Sequence, residues 1–448
     1  MIVDSVLNNA KAYLNGQIVD CSIAIEEGKI FKIGKETQMP SADEKTNLKS
    51  HLVLPGLIDE HVHLRDEGKA YKEDFYTGTA AAAAGGFTTV LDMPNNEPVT
   101  MSADALRNRM ALAQRRILVN VGFYSEFPKK LAEVQNIVCE GAIGFKLFMG
   151  SQVGGLNVDD DEELLDAFRE VAPLGEVVAV HAEDKALLKA NETRLKQAKK
   201  VGVSAFQNAH SEVVESKAIE RLLKISETTS VHLHFCHVST KNGLDEIEEA
   251  KKAGRKVTCE VTPNHLLLST ADLGRVGQML IMAPPLRSVD QVEGLWKGLE
   301  AGWIDSLGSD HAPHTVNEKA ASSVWDVKVG VPGLETMLPL MLTAVRKNRF
   351  SLKQAMSLLA ENPADIFGLS DRGRLEQGKS ADLAVVDFNA KFEIDASKFK
   401  SKAKFSPFHG WEVQGKPEKT FVGGLLVFDE GEIVAKAGIG SLVRRGSP

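Results

Sequence analysis

Eight short, apolar, β-rich segments divide the middle of this 448-residue chain, and stretches of helical character separate most of them. This alternation is typical of repeated βαβ units, which build parallel sheets. Eight strands close a (β/α)8 barrel, so the pattern predicts an α/β protein with a TIM barrel. An open doubly wound sheet is the alternative, but the chain has no GxGxxG or P-loop motif. The segments lie at residues 53–61, 88–93, 117–124, 142–149, 177–182, 231–237, 256–262 and 304–310.

The two ends of the chain differ from the middle. AYLNGQIVD and SIAIEEGKIFKIG near the start, and SADLAVVDFN and KTFVGGLLVFDEGEIVAK near the end, are typical of hairpin strands with Asn-Gly and Glu-Gly turns. We therefore expect both termini to combine in one small β-sandwich. The predicted domains are a composite β-sandwich of residues 1–51 and 371–448, and a barrel of residues 52–370.

Charge and composition exclude several classes of protein. The formal net charge is −8, and Lys and Arg form no basic stripe, so nucleic acid is not an expected partner. The start of the chain has no signal-peptide pattern and no stretch of 18 apolar residues occurs, so we expect a cytoplasmic protein without membrane contact. The sequence is compatible with a homo-oligomer. Four cysteines without CxxC spacing predict reduced thiols, with neither a disulfide framework nor a cysteine metal site.

Metal-binding types of side chain stand at the ends of several predicted strands. His61 and His63 end the first segment, His181 and His237 lie near the ends of the fifth and sixth, and Asp310 ends the eighth. The carboxyl ends of barrel strands face one pocket, so these side chains should converge. His61 and His63, spaced i and i+2, point to the same side of a strand and can bind one ion. Alone, this pair would also fit two polar residues leaving a strand for solvent.

Lys146 is unusual because it lies among apolar residues in GFKLFM, where burying a charge is costly. One interpretation is a lysine whose ammonium reaches out to water. The other is carboxylation of Nζ by CO2, which makes a carboxylate that can bridge two metal ions. The complete ligand set suits two Zn²⁺ or similar divalent ions that share a hydroxide, with Asp310 as the proton shuttle. This set consists of His61, His63, Lys146, His181, His237 and Asp310.

Three further polar residues follow the strands that carry this set. Arg65 lies two residues beyond His63, Asn95 follows the second segment and His314 follows the eighth. A guanidinium pairs bidentately with a carboxylate, so the three residues could bind an anionic small-molecule substrate. Each also has a structural interpretation, since Arg65 could pair with Asp66 or Glu67, Asn95 could serve a turn, and His314 could lie on the surface.

Several motifs resemble the amidohydrolase superfamily, specifically dihydroorotases of the cyclic amidohydrolase branch. They run in order from about residue 50 to residue 390: PGLIDEHVHLRD, KEDFYTGTAAAAAGGFTTVLDMPNN, GFKLFMG, VHAED, CHVST, EVTPNHLLLS, APPLRS, GSDHAPH and RGRLEQGKSADLAVVDF. The resemblance implies reversible cyclisation of N-carbamoyl-L-aspartate to L-dihydroorotate in pyrimidine biosynthesis.

The resemblance also implies roles for individual residues. His61, His63, carboxylated Lys146 and Asp310 would bind one metal ion, and Lys146 with His181 and His237 the other. Asp310 would be the catalytic proton shuttle. The substrate carboxylate would be bound by the Arg of HLR, the Asn of MPN and the last His of DHAPH, which are Arg65, Asn95 and His314.

The chain departs from the usual motifs at a few positions. HLRDEG replaces HLREPG, TPNH replaces TPHH and APPLR replaces NPPLR, which concerns Asp66, Glu67, Asn264 and Ala283. None of these changes removes a predicted ligand. Lys146 fits the carboxylated-lysine arrangement that hydantoinases, dihydropyrimidinases and allantoinases share, so these enzymes are the nearest alternatives. A non-catalytic, dihydroorotase-like scaffold is a second alternative, although such proteins usually lack several of the ligands.

Overall fold

The computed structural model describes residues 2–151 and 153–446. The first three strands form two antiparallel hairpins within one sheet. Both turns that the sequence marks have left-handed residues, with φ of 48° at Asn15 and 86° at Gly16, and of 48° at Glu27 and 71° at Gly28. Such pairs match the twist of two-residue hairpins. The first strands are β1 (Ile2–Leu14), β2 (Gln17–Glu26), β3 (Lys29–Gly34), β4 (Ser41–Asn47) and β5 (Leu52–Pro55).

Eight parallel strands follow, and each pairs with the next along the chain. The gap between the first and the last is bridged where the N–H of His63 donates to the carbonyl of His311 at 2.8 Å. The sheet is therefore a nearly closed barrel, and the predicted TIM barrel is confirmed. Its strands are β6 (Leu57–Val62), β7 (Phe87–Asp92), β8 (Asn120–Glu126), β9 (Gly144–Phe148), β10 (Val177–His181), β11 (His232–Phe235), β12 (Val257–Val261) and β13 (Ser306–Leu307).

All but one of the last five strands return to the first sheet. These five strands are β14 (Leu383–Glu393), β15 (Glu412–Val422), β16 (Leu425–Asp429), β17 (Glu432–Ile433) and β18 (Leu442–Val443). β14 pairs with β5, which also pairs with β1, so both termini share one sheet separate from the barrel, as predicted. β18 instead pairs in parallel with β8 of the barrel. The division of domains at residues 51/52 and 370/371 stays a prediction.

Helices fill the connections between the strands. In the fourth helix (Asp161–Val171), Leu164, Ala167, Phe168 and Val171 repeat at helical spacing and are buried, while Asp160 caps the first turn. No helix among the described residues is long and apolar enough to cross a membrane. The helices are α1 (Phe75–Ala84), α2 (Ala103–Gln114), α3 (Val134–Glu140), α4 (Asp161–Val171), α5 (Lys185–Gln197), α6 (Val203–Ala209), α7 (Glu212–Ser226), α8 (Lys241–Lys252), α9 (Pro263–Leu267), α10 (Leu273–Val276), α11 (Val289–Glu300), α12 (Val316–Lys319), α13 (Leu334–Arg346), α14 (Leu352–Met356) and α15 (Asn362–Phe367).

Gly56 is the residue at which the chain passes from the terminal sheet into the barrel. A Cβ at this position would lie 2.1 Å from Oγ1 of Thr88 and 2.8 Å from Cβ of Asp382, both buried. We expect Gly56→Ala to lower the free energy of unfolding by about 1–3 kcal/mol, the usual cost of overpacking. Gly274→Ala is the control, because a Cβ there meets no atom within 4 Å. Equal thermal unfolding of the two variants would contradict this expectation.

Candidate metal centre and active-site cavity

A cavity of about 680 Å³ opens at the carboxyl ends of the barrel strands. The residues that the sequence singled out lie at or after the carboxyl ends of five different strands and meet in its wall. Lys146 is the exception, since it is fully buried in β9 and not part of the lining. The predicted site residues that line the cavity are His61, His63, Arg65, Asn95, His181, His237, Asp310 and His314.

The first group of predicted ligands surrounds one carboxylate oxygen. Oδ1 of Asp310 lies 3.4 Å from Nε2 of His61 and 3.2 Å from Nε2 of His63. Two ligands of a tetrahedral ion with bonds of 2.0–2.1 Å are about 3.3 Å apart. The three ligand atoms therefore already have the spacing of a metal site.

The second group adjoins the first. Nδ1 of His181 lies 3.1 Å from Nε2 of His237, and the rings of His237 and His61 have their centroids 5.2 Å apart. Nδ1 of His237 is buried and has no hydrogen-bond partner within the described part of the chain. Two imidazoles with facing nitrogens fit a second ion beside the first.

The electrostatics of the cavity floor favour neutral imidazoles. Burial, with Lys146 adding to it, lowers the pKa of His61 below its ordinary value. Burial and the Arg65 guanidinium hold the pKa of His63 well below its ordinary value. Burial and the neighbouring His181 do the same to the pKa of His237. Neutral imidazole is the form that coordinates a metal ion, so the three rings are ready ligands.

Lys146 is buried, and its Nζ lies 5.2 Å from the centroid of the Phe148 ring. Its Nζ donates to Sγ of Cys236 at 2.9 Å, and in residues 2–151 and 153–446 no carboxylate lies within ion-pair distance of it. Burial raises the pKa of Cys236, so the thiol stays protonated and offers no counter-charge. A carboxylated Nζ would remove the positive charge and supply the oxygens that two ions need. The donor set thus fits a centre of two divalent ions.

The dependence of metal loading on bicarbonate tests this fit. We expect metal-stripped protein to take up about two ions per chain, and to do so more slowly when CO2 is depleted, because the ligand forms from CO2. Lys146→Met should lose most of its metal, and its remaining uptake should not respond to bicarbonate. Elemental analysis of the two proteins, loaded in parallel, measures this. Equal loading of the parent protein with and without bicarbonate would refute carboxylation.

Two buried carboxylates of the site were not assigned a role from the sequence. Glu183 accepts from Nε2 of His181 at 2.8 Å and from Nδ1 of His210 at 2.7 Å. Glu260 contacts Nδ1 of His61 and lies 3.4 Å from Nε2 of His234. Although burial alone would raise the pKa of Glu183, the two histidines hold it below its ordinary value. Metal-binding histidines commonly donate their second N–H to such carboxylates.

One wall of the cavity is rich in cations. Nζ of Lys72 lies 3.2 Å from Nδ1 of His314 and 2.7 Å from Glu318. An ammonium can only donate, so the proton of His314 lies on Nε2, which donates to the carbonyl of Val329 at 2.9 Å. Arg65 lies on the other side of this imidazole, with a nitrogen 3.4 Å from Nε2.

Asn95 completes this wall beside the metal ligands. Its Oδ1 accepts from Nδ1 of His63 at 2.7 Å, which leaves the amide nitrogen free to donate to a ligand. The Nζ of Lys69 donates to the carbonyl of Asn95 at 3.2 Å, and Lys328 also lines the cavity. The sequence did not single out Lys69, Lys72 or Lys328, because lysines are common on protein surfaces.

The structure accounts for some of the positions at which the chain departs from the usual motifs. Asp66 pairs with Arg116 at 2.9 Å and accepts from the N–H of Phe75 at 3.4 Å, so it is not the partner of Arg65. Ala283 lines the cavity, and Asn264 is buried in α9. Nothing in the structure explains the choice of Glu67.

The barrel, the two ligand groups and the cations of the wall together line one cavity that can hold a small molecule. The sequence profile of the amidohydrolase family matches residues 52–427, and the chain belongs to this family. An L-hydantoinase of Paenarthrobacter aurescens is 35% identical, over 99% of this chain and 98% of that protein. A dihydroorotase of Methanosarcina mazei is 37% identical, over 98% and 97%, and one of Bacillus cytotoxicus is 39% identical, over 93% and 97%.

Solved structures of hydantoinases and dihydropyrimidinases are also similar to this chain along its whole length. The L-hydantoinase (dihydropyrimidinase) from Arthrobacter aurescens superposes with a TM-score of 0.95 at 34% identity, covering 99% of this chain and 100% of that one. The dihydropyrimidinase from Brevibacillus agri has a TM-score of 0.92 at 25% identity, with coverage of 99% and 100%. The chain is therefore a member of the cyclic amidohydrolase branch, a hydrolase that acts on small cyclic amides. Relatives named for two activities have similar identity, so likeness alone does not choose between them.

Proposed function

We propose that this protein is a dihydroorotase, which reversibly cyclises N-carbamoyl-L-aspartate to L-dihydroorotate in pyrimidine biosynthesis. The observation that carries the proposal is Arg65, a cation in the wall of the cavity that has no carboxylate within ion-pair distance among the described residues. Of the rings that this branch opens, dihydroorotate is the one whose carboxylate would supply that partner.

The surroundings of Arg65 are those of a binding residue. Its side chain is only 8% exposed, and its Nε has no hydrogen-bond partner among the described residues. Burial of an unpaired guanidinium is costly, and a bidentate carboxylate relieves that cost. The free amide nitrogen of Asn95 and the ammonium of Lys72 lie in the same wall and favour the same negative charge. His314, whose two nitrogens are both engaged, acts in this arrangement by fixing Lys72 beside Arg65.

The mechanism uses the two ligand groups on the cavity floor. His61, His63, Lys146 and Asp310 would hold one divalent ion, and Lys146, His181 and His237 the other. Such ions would polarise the scissile carbonyl and lower the pKa of the attacking water. Arg65 and Asn95 would orient the ring through its carboxylate.

Asp310 lies where it can move the proton of the reaction. Its carboxylate faces the cavity beside His61 and His63. In ring opening it would take a proton from the attacking water, whose oxygen bonds to the carbonyl carbon, and deliver that proton to the ring nitrogen as the C–N bond breaks. In cyclisation the same carboxylate would run these transfers in reverse.

A hydantoinase or dihydropyrimidinase is the second candidate. The observation in its favour is the TM-score of 0.95 to an L-hydantoinase whose chain is matched along its whole length. Hydantoin and dihydrouracil rings are neutral, however, and would leave Arg65 without a counter-charge. A non-catalytic scaffold would have no use for a complete set of converging ligands.

An assay in both directions tests the proposal. Metal-replete protein is incubated with N-carbamoyl-L-aspartate, and formation of dihydroorotate is followed. Ring opening of L-dihydroorotate, dihydrouracil, hydantoin and allantoin is measured side by side. We expect turnover of the dihydroorotate pair. Turnover confined to the neutral rings would favour the second candidate, and no turnover of any ring by metal-replete protein would favour the scaffold.

A further inference from the structure

A cluster of three buried acids and one histidine lies directly below the cavity floor. The cluster consists of Asp59, Glu60, His234 and Glu260, which are all fully buried in the barrel interior. The Asp59 side chain accepts from the backbone N–H of His61 at 3.1 Å, whereas the side chain of Glu260 contacts predicted ligands of both groups, His61 and His237. Since a buried carboxylate is costly unless it is paired, the number of its partners is informative.

The side chain of Glu260 joins three strands of the barrel. It projects from β12, and its Oε1 accepts both from Nδ1 of His61 in β6 and from the N–H of His237 at 3.0 Å. Its Oε2 lies 3.4 Å from Nε2 of His234 in β11. One carboxylate thus contacts a predicted ligand of the first ion and the backbone of a predicted ligand of the second.

The contact with His61 determines which nitrogen of that ring is a ligand. A carboxylate accepts hydrogen bonds, so the proton of His61 lies on Nδ1 and points to Glu260. Nε2 is then unprotonated and faces Oδ1 of Asp310 at 3.4 Å. The alternative tautomer would place a proton where the ion has to bind.

The contact with His237 fixes a backbone conformation that is rare for this residue type. His237 has a φ of 38°, in the left-handed region, just after β11 ends. Its N–H donates to Glu260 Oε1, and the next N–H, of Val238, donates to the backbone carbonyl of Glu260 at 2.9 Å. These two bonds set the direction in which the imidazole of His237 leaves the strand.

We propose that Glu260 is a positioning residue that couples the two halves of the metal centre. Its carboxylate holds the tautomer of His61 and the backbone of His237 at once, so that one substitution weakens both ion sites. This inference rests on the metal centre proposed above, but not on the identity of the substrate. A carboxylate that served only His61 would affect one site alone.

Metal affinity of Glu260→Gln tests this proposal directly. Glutamine has nearly the same shape but no charge and is a weaker acceptor, and mutation of such a partner typically weakens metal binding about 10–100-fold. We expect that weakening at both sites when Zn²⁺ is titrated against a chromophoric chelator. We also expect a changed visible absorption spectrum of the Co²⁺-loaded protein, which reports ligand geometry without any turnover.

Glu335→Gln is the matched control. Glu335 is a carboxylate of α13, outside the cavity, that accepts from the backbone N–H groups of Lys400 and Ser401. We expect this variant to be destabilised without a change in metal affinity or Co²⁺ spectrum. If Glu260→Gln fails to fold, Glu260→Asp replaces it, since the shorter side chain cannot keep all three contacts.

Each outcome of the titration decides the proposal. Affinity at both sites within about threefold of the parent protein, well inside the 10–100-fold expected, overturns it. Weakening of one site alone overturns the coupling, and a parent protein that binds no ion overturns the proposal together with the metal centre. Failure to turn over dihydroorotate with normal metal binding would contradict the proposed function and leave Glu260 unaffected.

Discussion

We expect Arg65→Met to lower kcat/KM for L-dihydroorotate by about thirtyfold or more, because loss of one partner of a buried charged pair costs about 2–5 kcal/mol. In the variant the substrate carboxylate would be buried in the cavity without the Arg65 guanidinium as its counter-charge. Metal content should stay at the level of the parent protein, since Arg65 contacts none of the predicted ligands by a hydrogen bond. Steady-state kinetics and elemental analysis of the same preparation measure both quantities.

Two controls make the Arg65 result specific. Arg116→Met removes a guanidinium that pairs with Asp66 at 2.9 Å outside the cavity, and should leave kcat/KM unchanged. Any residual turnover of dihydrouracil by the parent protein should survive in Arg65→Met, because that ring has no carboxylate. An unchanged kcat/KM for dihydroorotate in Arg65→Met would remove the basis for assigning a carboxylate to this wall.

Asp310→Asn should lower kcat by about 10²–10⁴-fold, the usual contribution of a positioned general acid and base. Asparagine keeps an oxygen near His61 and His63 but cannot take up and return the proton. KM should change much less than kcat, because Asp310 does not belong to the cation wall. Rates must be compared at measured metal occupancy, so that loss of an ion is not counted as loss of proton transfer.

Asp305→Asn is the control for Asp310. Asp305 pairs with Lys251 at 2.5 Å and accepts from the N–H of Cys259 at 2.7 Å, away from the cavity lining. We expect its kcat to equal that of the parent protein. A kcat of Asp310→Asn within about tenfold of the parent, at full metal occupancy, would exclude Asp310 as the proton shuttle.

The convergence of the proposed ligands could be predicted because strand order and strand ends follow from a local pattern. His61, His181 and His237 stand at or just beyond the last residues of β6, β10 and β11, and the barrel brings such positions together. The segment 53–61, however, divides into β5 and β6, which belong to different sheets. Both halves are apolar and buried, so hydrophobicity does not show where the chain changes sheet.

The residues that orient the ligands were harder to find from the sequence. Glu260 sits between Cys259 and Val261 in a buried strand, and a carboxylate in such a run signals a buried partner. The sequence does not say which partner, because His61 is 199 residues away. Glu183 had a closer signal, since it follows His181 at the strand spacing of two.

The cation wall depended even more on tertiary structure. The ammonium of Lys72 is held in the cavity wall by contacts with His314, which is 242 residues away, and with Glu318. Asp66 pairs with Arg116, and this contact between distant residues excludes the alternative in which Arg65 pairs with Asp66. Long-range pairing of this kind leaves no periodicity in a single sequence.

The ratio of kcat/KM for L-dihydroorotate to that for dihydrouracil, measured on the metal-replete parent protein, tests the central claim most directly. The two rings differ by one carboxylate, which is the group that Arg65 would bind. Sites built around such a polar group reject the analogue that lacks it by about 10⁴-fold, and we expect a ratio of at least about 10³. A ratio of about one or less would contradict the account and identify a hydrolase of neutral rings.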